Sequence, residues 1–211
     1  WMSKPFDYPD RPQDRGKVLN AEDLERLGGF ARYKDVDGDG IPYRTLPGTP
    51  HPLAGYFTRG TGHTDKATLS ERPADWTGNL DRITAKFETA RAELPQPIVN
   101  KVEGAEVAII AYGSANPPVE EALARLEQAG VKASYLRVRA LPLAEGIKDF
   151  VAAHKRVYVV ELNDDAQMLQ LLRLHLTGVE GDKLIAANLC DGLPLTARWI
   201  TETILSKEAS Q

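Results

Sequence analysis

The second part of the chain alternates short apolar runs with amphipathic stretches. The runs are rich in β-branched residues and predict four buried strands, at 107–112, 133–138, 157–161 and 184–188. The stretches between and after them carry apolar residues at helical spacing and predict helices that end at 130 and span 144–154, 166–176 and 196–205. Such alternation is typical of an α/β fold, with a parallel sheet covered on both faces.

The first part of the chain is dominated by prolines and glycines, which predict a loop-rich segment over residues 1–78. One short helix is predicted at 21–27, because Asn20 can cap it and Gly28 can end it. From residue 79 an amphipathic helix is predicted, followed by a proline linker at 95–97. Its apolar positions follow three- and four-residue spacing: Leu80, Ile83, Phe87, Ala90 and Leu94. We therefore expect a first region at 1–97 and an α/β domain at 98–211.

Composition narrows the classes of function. The 211 residues include 30 acidic and 26 basic side chains, a net charge of −4, which argues against nucleic acid or an anionic membrane as a partner. A single cysteine, Cys190, excludes a cysteine-held iron–sulfur cluster or zinc site within the chain and fits a cytoplasmic location. The start at Trp1-Met2 leaves open that the chain is a fragment.

Two acidic patterns are candidate metal sites. The spacing over 35–40, DVDGDG, is that of a calcium loop, but Leu46 stands where a bidentate Glu is expected, so a solvated Asp/Gly turn is favoured. Gly38-Asp39-Gly40 also resembles the start of the magnesium-diphosphate motif of thiamine enzymes. The paired Asn that this motif needs does not follow, and no cofactor or metal site is assigned.

The segment 57–65, FTRGTGHTD, is the best local candidate for a ligand site. Arg59 and His63 can hold a carboxylate, and the glycines allow a ligand to approach the backbone, although a structural role for the histidine stays open. The turn 113–115 and the polar residues after Glu161 follow strands, where α/β folds bind ligands. An ordinary strand-to-helix turn is favoured over a phosphate site at 113–115, and helix capping explains the residues after Glu161 at least equally well.

Several segments together resemble the alpha subunit of the 2-oxoacid:ferredoxin oxidoreductases, in particular the 2-oxoglutarate branch. They lie in the same order as in that family: 35–48 (DVDGDGIPYRTLPG), 57–63 (FTRGTGH), 79–94 (NLDRITAKFETARAEL), 112–122 (YGSANPPVEEA), 136–143 (LRVRALPL), 159–167 (VVELNDDAQ) and 191–197 (DGLPLTA). Related sequences often read Glu-Gln-Asn-Arg where this chain has Glu161-Leu162-Asn163-Asp164, which puts an anion-binding role there in doubt.

The resemblance implies that residues 1–97 are the tail of a thiamine-pyrimidine-binding domain and that 98–211 form a transketolase C-terminal-like domain. In such enzymes a 2-oxoacid, here 2-oxoglutarate, is decarboxylated, succinyl-CoA is formed and ferredoxin is reduced. Thiamine diphosphate, Mg²⁺ and the iron–sulfur cluster would be held mainly by a beta subunit and the remainder of the alpha subunit, in at least a heterodimer. This chain alone would be inactive.

The resemblance also suggests which side chains contact substrate or coenzyme A. The candidates are Arg59, Thr61, His63 and Arg137. A dicarboxylate substrate needs a second cationic contact, which Arg59 could supply, with Arg137 and Arg139 as its competitors. Two alternatives stay open. A stand-alone Rossmann-like module would bind a small anion at the 113–114 turn, and a non-catalytic assembly module would hold partner subunits.

Overall fold

The structure is a computed structural model that describes residues 8–56, 60, 62–144 and 146–210. It divides into two compact units, a first unit that ends at Glu93 and a second unit that begins at Leu94. In the described part, no helix combines the length and the apolar character that crossing a membrane requires. The assignment of residues 1–97 to the tail of a pyrimidine-binding domain stays a prediction.

Across its described residues, the first unit contains two α-helices and a short 3₁₀ helix at Pro52–Ala54, joined by long loops. Helix α1 (Ala21–Leu27) is the predicted one: the Asn20 side chain accepts the Asp23 N–H at 2.9 Å, Asp23 accepts the Asn20 N–H at 3.1 Å, and Gly28 ends the helix with φ 61°. Helix α2 (Pro73–Glu93) begins six residues before the predicted start. Its first turn holds Pro73, and Asp75 accepts hydrogen bonds from Ser70 and Arg72, so the added turns are stabilised by local contacts.

The second unit is a five-stranded α/β sheet. The strands are β1 (Ile98–Asn100), β2 (Val107–Tyr112), β3 (Ala133–Val138), β4 (Arg156–Glu161) and β5 (Leu184–Asn188). Their order is β1-β3-β2-β4-β5, and every neighbouring pair is parallel except β1 with β3. The predicted α/β class with a largely parallel sheet is confirmed, and the antiparallel edge strand β1 was not predicted.

Helices cover both faces of this sheet. They are α3 (Asn116–Gln128), α4 (Gly146–Ala152), α5 (Gln167–His175), the short α6 (Val179–Asp182) and α7 (Ala197–Glu208). Apolar side chains of α3 and α7 form one core with one face of the strands, and those of α4 and α5 form a second core with the other face. Because both faces are buried, the central strands are apolar at successive positions and not only at alternate ones.

Candidate functional site

The clearest polar site in the first unit is built around His63. Its imidazole stacks on the Tyr33 ring with 4.0 Å between centroids. His63 Nδ1 lies 3.0 Å from the Thr64 carbonyl oxygen, which can only accept, so this nitrogen carries the proton and Nε2 is left as an acceptor in the neutral ring. The Asn79 amide of α2 donates to the His63 carbonyl at 2.8 Å, which ties the loop to the helix. His63 is thus held in one orientation by contacts with a loop and a helix.

Two guanidinium groups lie over the same tyrosine ring. The Arg32 Cζ atom is 5.1 Å and the Arg82 Cζ atom 5.6 Å from the Tyr33 centroid, within the range of cation–π attraction. In the part of the chain that the structure describes, neither arginine forms an ion pair with a carboxylate. Among the described residues, the hydrogen bonds of both arginines are long ones to a carbonyl, from Arg32 to Tyr43 at 3.4 Å and from Arg82 to Gly40 at 3.5 Å.

The environment of Arg82 is electrostatically unfavourable for a cation. Partial burial, and next the like charge of Arg32, lower the pKa of the Arg82 guanidinium, against the smaller opposing effects of Tyr33 and Asp35. Its Nε atom is buried and has no hydrogen-bond partner among the described residues. A bound anion would offset the repulsion between the two guanidinium groups.

A cavity of about 310 Å³ opens beside these side chains. It is lined by Tyr33, Lys34, Asp35, His63, Asp65, Ala74, Asp75, Gly78, Asn79 and Arg82. Two of its three carboxylates are engaged by the protein: Asp35 accepts backbone N–H groups, and Asp75 accepts from Ser70 and Arg72. The cavity therefore offers a carboxylate or phosphate the cationic Arg82 and Lys34, while the exposed Asp65 at its rim opposes such a ligand.

The structure describes two of the four predicted site residues, His63 and Arg137. Arg59 and Thr61 lie outside the described residues. His63 is in the cavity wall, whereas Arg137 belongs to the second unit, on β3. The contributions of Arg32, Tyr33 and Arg82 were missed, because they come from a loop and from the polar face of α2 and have no spacing that marks a motif. The sequence did contain one indication of Arg82, because helical spacing places it on the side of α2 opposite the apolar residues.

Arg137 has its own polar surroundings. It shares a sheet face with Tyr135, whose hydroxyl donates to Asn116 at 3.0 Å, and its Nε is buried without a hydrogen-bond partner among the described residues. Burial raises the pKa of Tyr135 to about 12, against the opposing effect of the Arg137 charge. Arg137 thus stays a candidate anion ligand of the second unit on its own geometry.

The turn after β2 does not fit a phosphate. Gly113–Ala115 form a single 3₁₀ turn, and α3 then begins with Asn116 followed by Pro117 and Pro118. Prolines have no N–H, and the Asn116 N–H bonds to Gly113, so this helix start lacks the free donors that hold an anion. The geometry disfavours the stand-alone module that would use this turn.

The strand end at Glu161 is structural. The buried Glu161 carboxylate accepts the N–H groups of Met168 at 2.8 Å and Leu169 at 3.1 Å, and Asn163 accepts that of Gln167 at 3.1 Å. These bonds satisfy the amino terminus of α5. The capping interpretation of this segment therefore holds, with Glu161 itself as a main acceptor.

The acidic turn at 35–40 is saturated by the protein's own donors. Asp35 accepts the N–H groups of Gly38 and Gly40, and the Lys17 ammonium lies 2.6 Å from one oxygen each of Asp37 and Asp39. Across the described residues, no group of three or more His, Cys, Asp or Glu side chains could hold a metal ion. Because Asp39, the acid of the Gly-Asp-Gly sequence, is paired with Lys17, the described residues of this turn do not fit the Mg²⁺ of a thiamine diphosphate site.

Comparison with known proteins finds relatives that are similar over part of their length. No protein-family model matches the chain. Subunit alpha of 2-oxoacid:ferredoxin oxidoreductase 2 from Aeropyrum pernix is 28% identical over 189 residues, which are 87% of this chain and 28% of that relative. Subunit alpha of oxidoreductase 1 from the same organism is 31% identical over 176 residues, 76% of this chain and 25% of the relative. The chain spans about a quarter of the length of these curated relatives.

One solved structure is similar over most of the chain. It is the 2-oxoglutarate:ferredoxin oxidoreductase from Magnetococcus marinus with 2-oxoglutarate, coenzyme A and succinyl-CoA bound. It matches 86% of this chain and 31% of its own chain with a TM-score of 0.72 at 28% identity. The predicted relationship is thereby confirmed: the chain matches alpha subunits of the 2-oxoacid:ferredoxin oxidoreductases, and the similarity supports a C-terminal portion of such a subunit.

Proposed function

We propose that this chain is part of the alpha subunit of a 2-oxoglutarate:ferredoxin oxidoreductase, which decarboxylates 2-oxoglutarate, forms succinyl-CoA and reduces ferredoxin. The observation that carries the proposal is the structural similarity, at a TM-score of 0.72, to an enzyme of that name with 2-oxoglutarate and coenzyme A bound. Substrate, coenzyme A and succinyl-CoA all carry carboxylate or phosphate groups. The cavity of the first unit offers ligands of this class the side chains of Arg82 and Lys34, next to three carboxylates.

The cofactors of the reaction are proposed to lie outside this chain. Thiamine diphosphate stabilises the carbanion formed on decarboxylation, and an iron–sulfur cluster accepts electrons singly. Asp39, the acid of the Gly-Asp-Gly sequence, is paired with Lys17, and the chain has one cysteine. We therefore assign thiamine diphosphate, Mg²⁺ and the cluster to the beta subunit and the remainder of the alpha subunit, and we expect this chain alone to be inactive.

The residues of this chain would bind and orient an anionic group. Arg82 would donate charge-assisted hydrogen bonds through its guanidinium, with Arg32 and His63 fixed beside it by the Tyr33 ring. Arg59 and Thr61 are proposed as further ligands, from sequence alone. In the second unit, Arg137 is a separate candidate. None of these groups performs bond chemistry in this account.

The proposal is tested by steady-state kinetics of the assembled enzyme. Arg82→Gln removes the cation and should raise the KM for either 2-oxoglutarate or coenzyme A by about 10- to 100-fold, the loss expected for a charge-assisted hydrogen bond. Arg91→Gln is the matched control, because Arg91 lies on the same helix, pairs with Glu88 and does not line the cavity.

The substrate whose KM rises identifies the ligand that Arg82 contacts. If Arg82→Gln leaves both KM values unchanged, the anion-binding role is wrong. If the assembled enzyme shows no ferredoxin reduction that depends on 2-oxoglutarate and coenzyme A, the proposed activity itself is wrong.

A further inference from the structure

The long helix of the first unit is oriented with its polar face inward. Gly40 packs directly on the backbone of α2 at Arg82 and Lys86, the Thr89 hydroxyl donates to the Asp39 carbonyl at 2.7 Å, and Asn79 donates to His63. All of these contacts fall on the polar side of the helix. The helix is thus attached to its own unit through hydrogen bonds and close backbone packing.

The opposite side of α2 is apolar and about half exposed. We define the α2 stripe as Trp76, Leu80, Ile83 and Phe87, which follow helical spacing and therefore share one face. Their exposed fractions are 55%, 52%, 39% and 52%, and no residue of α2 is buried. A soluble helix normally buries its apolar face, whereas the apolar face of α2 stays about half exposed. Such a contiguous exposed patch marks an interaction surface.

The missing length of the subunit indicates what covers the stripe. The matched region covers only 25–31% of the length of the two relatives and of the similar solved structure. Most of an alpha subunit therefore lies outside this chain. The stripe exposes roughly 400 Å² of apolar area, about half of the 800 Å² per partner that a stable association usually buries. A second copy pairing through this stripe alone would therefore be weak. A surface of the same subunit can pack on the stripe with this smaller area, because two parts of one folded chain lose no association entropy when they meet.

We propose that the α2 stripe is the surface on which the rest of the alpha subunit packs, through a complementary apolar surface. The inference rests on the family relationship and not on the proposed activity. In the assembled subunit the stripe becomes core, and α2 joins the cavity on its polar side to the bulk of the subunit on its apolar side. Position 82 is then held from both faces of the helix.

Site-specific photo-crosslinking in the assembled native enzyme tests the proposal. The photoreactive residue benzoylphenylalanine replaces Leu80 on the stripe, or Asp81 on the adjacent polar face as the control. We expect crosslinks from position 80 to peptides of the alpha subunit outside the matched region, and at least 10-fold fewer of them from position 81. Crosslinks to a second copy of this chain, crosslinks to another subunit, or no crosslink would each overturn the assignment.

A second measurement separates an interface from a role in folding. In the 211-residue chain alone, the double substitution Leu80→Ser and Phe87→Ser should lower the thermal unfolding midpoint by less than about 10 °C, because side chains that are half exposed have only about half of their apolar surface to lose. A large loss of stability would show that the stripe is internal core and would overturn the proposal. Neither the crosslinking nor the thermal unfolding requires enzyme turnover. A failure of the proposed packing surface is therefore distinguishable from a failure of the proposed activity.

Discussion

Gly40 sets how closely α2 approaches the loop that carries Tyr33 and Asp35. Its φ is 76°, and a Cβ built on it would lie 2.3 Å from the Lys86 nitrogen and 2.7 Å from the Arg82 carbonyl oxygen. Both atoms belong to helix backbone, so they cannot rotate away. Gly40→Ala therefore forces the helix and the loop apart, and with them Arg82 and Tyr33.

The loss of stability expected for Gly40→Ala has two parts. A positive φ costs a residue with a Cβ about 1–2 kcal/mol, and overpacking against rigid backbone costs about 1–3 kcal/mol, so Gly40→Ala should destabilise this contact by roughly 2–5 kcal/mol. Gly38→Ala isolates the first part, because Gly38 has φ 79° but no atom lies within 4 Å of the position that its Cβ would take. The difference between the two variants measures the steric part alone.

Hydrogen–deuterium exchange of the α2 amides is the assay. The protection factors of the α2 amides should be about 5- to 150-fold lower in the Gly40→Ala chain than in the Gly38→Ala chain. This ratio corresponds to the steric cost of about 1–3 kcal/mol. Equal protection in the two variants would refute the close approach of helix and loop, and with it the geometry that places Arg82 over Tyr33.

Two further predictions concern the second unit. The Glu208 carboxylate accepts two hydrogen bonds from the Arg156 guanidinium and one from the Tyr158 hydroxyl at 2.6 Å. Burial alone would raise the Glu208 pKa, but these donors lower it below the ordinary 4.5. Because the folded pKa is depressed, this stability is present above about pH 4.5 and is lost as the pH falls through the folded pKa. Glu208→Gln should cost about 1–3 kcal/mol in urea unfolding at pH 7 and progressively less below pH 4.5, and a pH-independent difference would contradict the ion pair. Glu161→Leu leaves the Met168 and Leu169 N–H groups without their acceptor and should cost about 2–4 kcal/mol in the same assay, whereas a loss under about 0.5 kcal/mol would argue against the cap.

Much of the fold was predictable because its signals are local. The capping box at Asn20 and the left-handed Gly28 determine both ends of α1 within a few residues. The β-branched runs of β2 and β4 mark strands that are buried on both faces. By contrast, β1 has three residues and pairs with β3, far along the chain, so neither its length nor its sequence shows a period.

The candidate site was only partly predictable. His63 was found because an imidazole in a glycine-rich loop is conspicuous, whereas its neighbours Arg32, Tyr33 and Arg82 meet only through the packing of α2 on the loop. Glu161 was noticed for its place at a strand end, but its role depends on backbone N–H groups seven and eight residues later. Residue type and spacing indicate candidates, and tertiary contacts decide among them.

The central claim is that this chain works as part of an alpha subunit in a larger oxidoreductase. Native mass spectrometry of the particle purified without truncation tests it most directly. We expect the sequence to occur in an assembly that contains the rest of an alpha subunit and a cluster-bearing partner, well above the 23.2 kDa of the chain. A lone 23.2 kDa monomer in the native preparation would contradict both the proposed enzyme and the proposed cover of the α2 stripe.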